Sequence, residues 1–344
     1  MSGTSLDGVD IAFCILKYDK KWSYKIVCAE TIPYPKKWKD LLQTLEGKSA
    51  LEYVLANTQY GHYLGKLIKS FIKKHKIKAD LISSHGHTIF HQPQNRLTTQ
   101  IGNGAAIAAE CGIPVVCDFR TKDVAMGGQG APLVPIGDKL LFHQYDHCLN
   151  LGGFANISFS NNEKRIAYDI CPVNIVLNAL AEKLGKKYDA KGSIARKGNL
   201  NSLLLKKLNA LLYYKKNYPK SLGKEWVIQE IFPLIKKIKP ADALRTFTEH
   251  AAIQISRSVA NSKPDTRNPK LLLTGGGVYN DFLIDRIRAH IKKTQIIIPD
   301  KLTIEFKEAL IFALLGVLRY RGEVNSLRSV TGASTDNIGG AIYL

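Results

Sequence analysis

Short apolar runs that stop in Gly-, Thr-, Asn- or Asp-containing turns recur along this chain, and helical periodicity fills the stretches between them. Residues 9–16, 24–31, 80–84, 112–119, 147–151, 165–168, 270–274 and 296–299 read as strands, with a turn linking 147–151 to 165–168. Residues 50–76, 172–184, 200–215, 222–236, 240–261 and 306–320 carry helical spacing of apolar positions. Strands alternating with helices predict an α/β fold. In such folds ligands gather where strands end, which is where the polar turns lie here. The 344-residue length suggests two domains. The Gly- and Pro-rich loop at 127–135 marks the expected boundary, giving domains 1–135 and 136–344.

The chain carries 49 Lys and Arg against 29 Asp and Glu, a formal net charge of +20. That excess is spread through amphipathic segments rather than blocked, and no RNA-recognition or zinc-finger spacing accompanies it. The reading is a solvated basic surface, with neither nucleic acid nor membrane as partner. Cys14, Cys28, Cys111, Cys117, Cys148 and Cys171 form no C-x-x-C pair and lie mostly in apolar runs, so buried thiols are expected. The opening residues resemble no secretory leader, and the expected location is the cytoplasm.

Three Gly-containing turns suit phosphate. The first is Ser2-Gly3-Thr4-Ser5-Leu6-Asp7-Gly8-Val9-Asp10, ahead of a strand. Its Gly residues let backbone approach an anion and its hydroxyls and N–H groups donate; Asp7 or Asp10 offers a carboxylate to Mg²⁺. An ordinary tight turn is the bland alternative. The second surrounds Gly152 and Gly153, with Asn156 just beyond; the third is Gly275-Gly276-Gly277, between a strand and a helix. No Walker A sequence is present, and 102–107 lacks the third Gly of a dinucleotide fingerprint. Asp169 follows a short strand and precedes Pro172 and Asn174, a seat for a general base or for a charge that simply favours a helix start. Arg120, just past a strand, is placed either to clamp a carboxylate or to form a surface ion pair. His85, His87 and His91 lack a Cys or acidic neighbour, which favours hydrogen bonding or packing over metal.

Together these segments resemble the anhydro-N-acetylmuramic acid kinases. The likeness rests on residues 1–10, Ser84-His85-Gly86-His87-Thr88, Gln100-Ile101-Gly102, 114–120, the specific 127–135 run, 150–158, 218–225 and Thr274-Gly275-Gly276-Gly277, in order along the whole chain. The resemblance implies two ribonuclease-H-like domains of the actin and sugar-kinase type around an ATP cleft. It implies that Gly3, Thr4, Ser5, Leu6, Asp7, Gly8, Val9 and Asp10 form the first phosphate loop. Gly152, Gly153 and Asn156 would belong to the second, and Gly275, Gly276 and Gly277 would contact adenosine. Asp169 matches the catalytic base; His85, Arg120, Asn174 and Glu308 match the sugar site, with Glu308 on a helix of the second domain. The implied reaction uses ATP, Mg²⁺ and water to turn 1,6-anhydro-N-acetylmuramic acid into N-acetylmuramic acid 6-phosphate during peptidoglycan recycling. The resemblance also suggests a homodimer.

The sequence departs from the family pattern at named positions. Ile170, Cys171 and Val173 stand where Thr, Gly and Gly are usual, and His87 where Gln is usual. Family members carry a short strand ahead of Met-Ser-Gly-Thr-Ser, so the expectation is a first core strand that is truncated or missing. Two other readings stand beside the leading one: a kinase of the same fold acting on another sugar, and a nucleotide-binding regulator without turnover.

Overall fold

The computed structural model describes every residue except Thr4, Ser5, Glu163, Lys263 and Asp265. The chain forms two compact units, one of Met1–Leu141 with Phe306–Leu344 and one of Phe142–Glu305. The sequence-based division puts all of 136–344 in the second domain. Residues 306–344 instead group with the N-terminal unit.

The first unit opens on a long antiparallel hairpin. β1 (Gly8–Asp19) pairs with β2 (Lys21–Pro33) from Gly8 opposite Pro33 to Asp19 opposite Lys21. Lys20, with φ +56°, makes the tight reversal. On the way in, Ser2 bridges Val9, the Met1 amino group donates to Asp10 O at 2.8 Å and Asp10 N–H donates to Met1 O at 2.9 Å. The helix Ala50–His75 starts from a reciprocal cap: Ser49 N–H donates to Glu52 Oε2 at 3.0 Å and Glu52 N–H donates to Ser49 Oγ at 3.3 Å. Its buried face, with Tyr60 and Leu64, packs with Ile101 and Ile107. β3 (Ile82–Ser83), β4 (His87–Gln92), β5 (Leu97–Ile101) and β6 (Val115–Cys117) come next; β3 runs parallel to β6, and β4 is antiparallel to β5.

The second unit holds β7 (His147–Leu151), β8 (Phe154–Asn161), β9 (Lys164–Pro172), β10 (Lys270–Thr274) and β11 (Gln295–Ile297). They form one sheet in the order β11-β10-β7-β8-β9. β7, β8 and β9 are antiparallel neighbours, whereas β10 is parallel to both β7 and β11. That mixed order is the ribonuclease-H-like arrangement expected of the sugar-kinase fold. β8 corrects the reading of a simple turn between two strands: Ala155, Ile157 and Phe159 alternate into the core, as a half-buried strand requires. The helices Asn174–Glu182 and Pro240–Asn261 contribute Leu177, Leu180, Phe247 and Ile255 to the same core.

The chain returns to the first unit within the helix Lys301–Tyr320, at a break in helical geometry at Phe306 (φ −118°, ψ 16°). β12 (Ala341–Tyr343) then pairs antiparallel with β6, so the first unit's three-stranded sheet has the order β12-β6-β3. β1 and β3 do not pair with each other. A cavity of about 290 Å³ is lined by β1, residues 79–84, and the helices Ala50–His75 and Lys301–Tyr320. Among the described residues, no helix is long and apolar enough to cross a membrane.

Candidate active site

Asp169 lies near the end of β9, opposite Asn156 of β8, and Asn156 lies opposite Asn150 of β7. Residues facing one another across antiparallel strands share a sheet face, so Asn150, Asn156 and Asp169 form a row. Nearly every polar group of Asp169 is engaged from one later segment. Leu222 N–H donates to Oδ2 at 2.9 Å, Asp169 N–H donates to Lys220 O at 3.3 Å, and Tyr213 Oη donates to Asp169 O at 2.5 Å. Among the described residues no donor reaches Oδ1, which leaves it as the open carboxylate oxygen. Burial raises the Asp169 carboxyl above its ordinary value, and the Leu222 N–H only partly offsets this. Lys220 lies over the rings of Tyr213 (4.8 Å) and Tyr168 (5.4 Å). In the sequence, 218–225 stands out only through a resemblance, and its place against Asp169 has no local signal.

The two Gly-containing turns of this unit meet. A Cβ on Gly275, whose φ is +83°, would fall 2.5 Å from Asn150 Oδ1, and one on Gly277 would fall 2.8 Å from Leu151 Cβ. Only Gly permits that approach. Gly276 has open space where its Cβ would be. The Gly152–Gly153 turn rests on the start of the helix Asn174–Glu182: Val173 N–H donates to Gly153 O at 2.8 Å and Asn174 N–H to Gly152 O at 3.2 Å. The Asn174 side chain donates to Leu151 O at 3.4 Å. Ile170, Cys171 and Val173 are 2%, 0% and 0% exposed and belong to the core, so the departures from the family pattern face inward.

The first unit gathers the other candidates. The turn through Gly3, Leu6 and Asp7 links Met1–Ser2 to β1; Thr4 and Ser5 lie outside the described residues. A Cβ on Gly8 would sit 2.4 Å from Ile32 O, so the hairpin itself demands glycine there. Val9 is core. Asp7 is exposed, and Asp10 Oδ1 accepts from Thr31 Oγ1 at 2.6 Å. Arg120 ends the loop after β6 and joins His85: its Nε and Nη2 face His85 Nε2 at 3.1 and 2.9 Å, and its Nη1 donates to Gly130 O at 2.6 Å. His85 Nδ1 lies 3.0 Å from Gly86 O, which assigns the proton to Nδ1 and leaves Nε2 to accept from the guanidinium. Burial, then the nearby Arg120 charge, holds His85 well below its usual value and therefore neutral. Burial also lowers Arg120, to about 10, so it remains cationic at neutral pH.

Glu308 is placed in this unit, not the second as expected, because the helix carrying it changes unit at Phe306. Solvent reaches its side chain, yet crowding by protein raises its carboxyl above the usual range against the pull of Lys307 and Arg120. The three histidines have separate partners: His87 Nδ1 meets Ser2 Oγ at 2.7 Å and His91 Nδ1 meets Thr98 Oγ1 at 3.0 Å.

The model of the family described as anhydro-N-acetylmuramic acid kinase matches residues 1–344. An anhydro-N-acetylmuramic acid kinase of Pasteurella multocida is 36% identical, covering 100% of this chain and 95% of the relative. Those of Pseudomonas syringae pv. syringae and Sulfurimonas denitrificans are 34% and 32% identical, each over 100% of this chain and 97% and 98% of theirs. Among solved structures, the ADPNP-bound activator of 2-hydroxyisocaproyl-CoA dehydratase from Clostridium difficile overlaps 66% of this chain and 86% of its own, at 16% identity and a TM-score of 0.38. The full-length match and these relatives place the chain in one family: it belongs to the anhydro-N-acetylmuramic acid kinases.

Proposed function

We propose that this chain opens the 1,6-anhydro ring of anhydro-N-acetylmuramic acid with water and transfers the γ-phosphoryl of ATP to the freed O6, with Asp169 as general base. The observation that carries the assignment of the base is the single open oxygen of a half-buried carboxylate whose other polar groups are fixed by Leu222, Lys220 and Tyr213. Oδ1 takes the proton of the water that attacks C1. The bond from C1 to O6 breaks, and O6 then attacks the γ-phosphorus as the bond to ADP breaks. Asn156, Gly152 and Gly153 supply polar groups beside the base for the phosphates, and Gly275, Gly276 and Gly277 let adenosine approach the backbone.

On the first unit, residues 3–10 form the other phosphate loop. Asp7 or Asp10 would hold Mg²⁺: both are carboxylates at this turn, Asp7 exposed and Asp10 with Oδ1 accepting from Thr31 Oγ1. When bound, Mg²⁺ offsets the charge of the phosphates. Arg120 is built to take the sugar's carboxylate: His85 and Gly130 O use three of its five N–H groups, and two remain. Glu308 is a hydroxyl acceptor for the sugar, and Asn174 is a further sugar-site residue whose backbone and side chain also tie down the Gly152–Gly153 turn. Family membership supports a cytoplasmic homodimer.

The test incubates the protein and its Asp169→Asn variant with Mg-ATP and 1,6-anhydro-N-acetylmuramic acid and weighs the products. The wild type is expected to add one phosphoryl group plus one water, and the variant neither. A phosphorylated product without the added water would overturn the hydrolytic reading.

A further inference from the structure

Asp123 lies in the short helix Thr121–Ala125 that begins at Arg120, and its side chain is 0% exposed. A buried carboxylate is costly unless its oxygens are fully engaged. Here Oδ1 accepts from Ser326 Oγ at 2.7 Å, Thr331 Oγ1 at 2.8 Å and Asn337 Nδ2 at 2.9 Å, and Oδ2 accepts from Gly130 N–H at 2.8 Å. The backbone takes the same path. Gly128 N–H donates to Asp123 O at 2.9 Å and Gln129 N–H to Thr331 O at 2.8 Å. A Cβ on Gly128 would fall 2.2 Å from Asp123 Oδ2, so the turn closes tightly on the acid.

Gly130 is the link to the sugar site. Its N–H is held by Asp123, and its C=O accepts from Arg120 Nη1 at 2.6 Å. Its φ of +63°, with a would-be Cβ 2.6 Å from Val124 Cγ2, leaves that residue little freedom. A continuous chain of hydrogen bonds therefore runs from Ser326, Thr331 and Asn337 through Asp123 and Gly130 to Arg120, and on to His85.

We infer that Asp123 is a positioning residue for sugar binding: it clamps Gly130 so that Arg120 is held with its two remaining N–H groups set for the substrate carboxylate. The inference rests on the assignment of Arg120 to the sugar. Asp123 touches neither substrate nor reacting atoms and acts only through Gly130.

Steady-state kinetics of Asp123→Asn, Arg120→Gln and the double variant test it. Asn keeps the volume but offers a single acceptor oxygen, so it cannot accept from Gly130 N–H and from the Ser326, Thr331 and Asn337 donors at once. The KM for 1,6-anhydro-N-acetylmuramic acid is expected to rise about tenfold, as when one charge-assisted hydrogen bond is lost, with kcat and the KM for ATP nearly unchanged. Since Asp123 acts through Arg120, the double variant should bind sugar no worse than Arg120→Gln alone. An Arg120→Gln variant with normal sugar KM would instead sink the assignment of Arg120. A normal sugar KM in Asp123→Asn beside a raised one in Arg120→Gln overturns the role of Asp123 alone, as does an equal loss in all three constants. Should Asp123→Asn fail to fold, Ser326→Ala removes one donor. A smaller rise in the same KM supports the clamp, and an unchanged KM refutes it.

Discussion

Half-buried, and with the Leu222 N–H as its one carboxyl donor among the described residues, Asp169 has its carboxyl pushed above the ordinary range. A base must be ionised to act, so kcat should fall as pH drops through that raised value, above the roughly 3.9 of an unperturbed Asp. The sign for stability is the reverse. A carboxyl whose folded pKa is raised holds its proton more tightly in the native state, so its contribution is greatest at low pH and is lost as pH rises through the folded value. At neutral pH the ionised Asp169 therefore costs stability. Asp169→Asn should lose about 10²- to 10⁴-fold in rate and yet melt at a higher temperature than the wild type at pH 7, with the gap narrowing in acid. Calorimetry at two pH values checks this; a lower melting temperature at pH 7 would show that the carboxylate is stabilised by its site. A strand at 165–168 followed by a helix was legible around Asp169, but the strand runs on through Asp169 to Pro172 and the helix starts only at Asn174, so Pro172 ends the strand rather than opening the helix. The positioning of Asp169 was not legible, because Leu222 and Tyr213 lie 53 and 44 residues away in sequence.

The elements most readily read were those whose burial is periodic. The helix Ala50–His75 shows its apolar spacing in sequence, and β1 and β2 read as strands from apolar runs. β8 was missed because Gly152-Gly153 and the Asn and Ser residues after it favour a loop reading, although every second side chain is core. The cavity beside β1 is explained by comparing the two units' strands. In the second unit, β7 lies between the antiparallel β8 and the parallel β10. In the first, among the described residues, no strand lies between the β1–β2 hairpin and the parallel β3–β6 pair, and Met1 and Ser2 pair with the β1 edge.

At the scale of the whole chain, the first unit closes only when residues separated by two hundred positions meet. No local pattern marks this: the sequence reads a helix over 306–320, whereas the helix runs from Lys301 to Tyr320, and nothing in its composition shows that it changes unit at Phe306. The C-terminal tail beyond that helix does two jobs. β12 covers the edge of β6, with Ala341 opposite Cys117 and Tyr343 opposite Val115. Ser326, Thr331 and Asn337 complete the buried Asp123 carboxylate across 203 to 214 residues. Ending the chain after Glu323 would strip both at once, leaving β6 with an unpaired edge and the Asp123 carboxylate without its Ser326, Thr331 and Asn337 donors. The second unit has its own five-stranded sheet and its own core, none of which draws on the tail. Limited proteolysis of the shortened chain should therefore degrade the N-terminal region rapidly while a fragment close to 142–305 persists. The full-length protein should resist in both regions. If 1–141 stayed as resistant without the tail as with it, the tail would be an appendage to that unit rather than part of its fold.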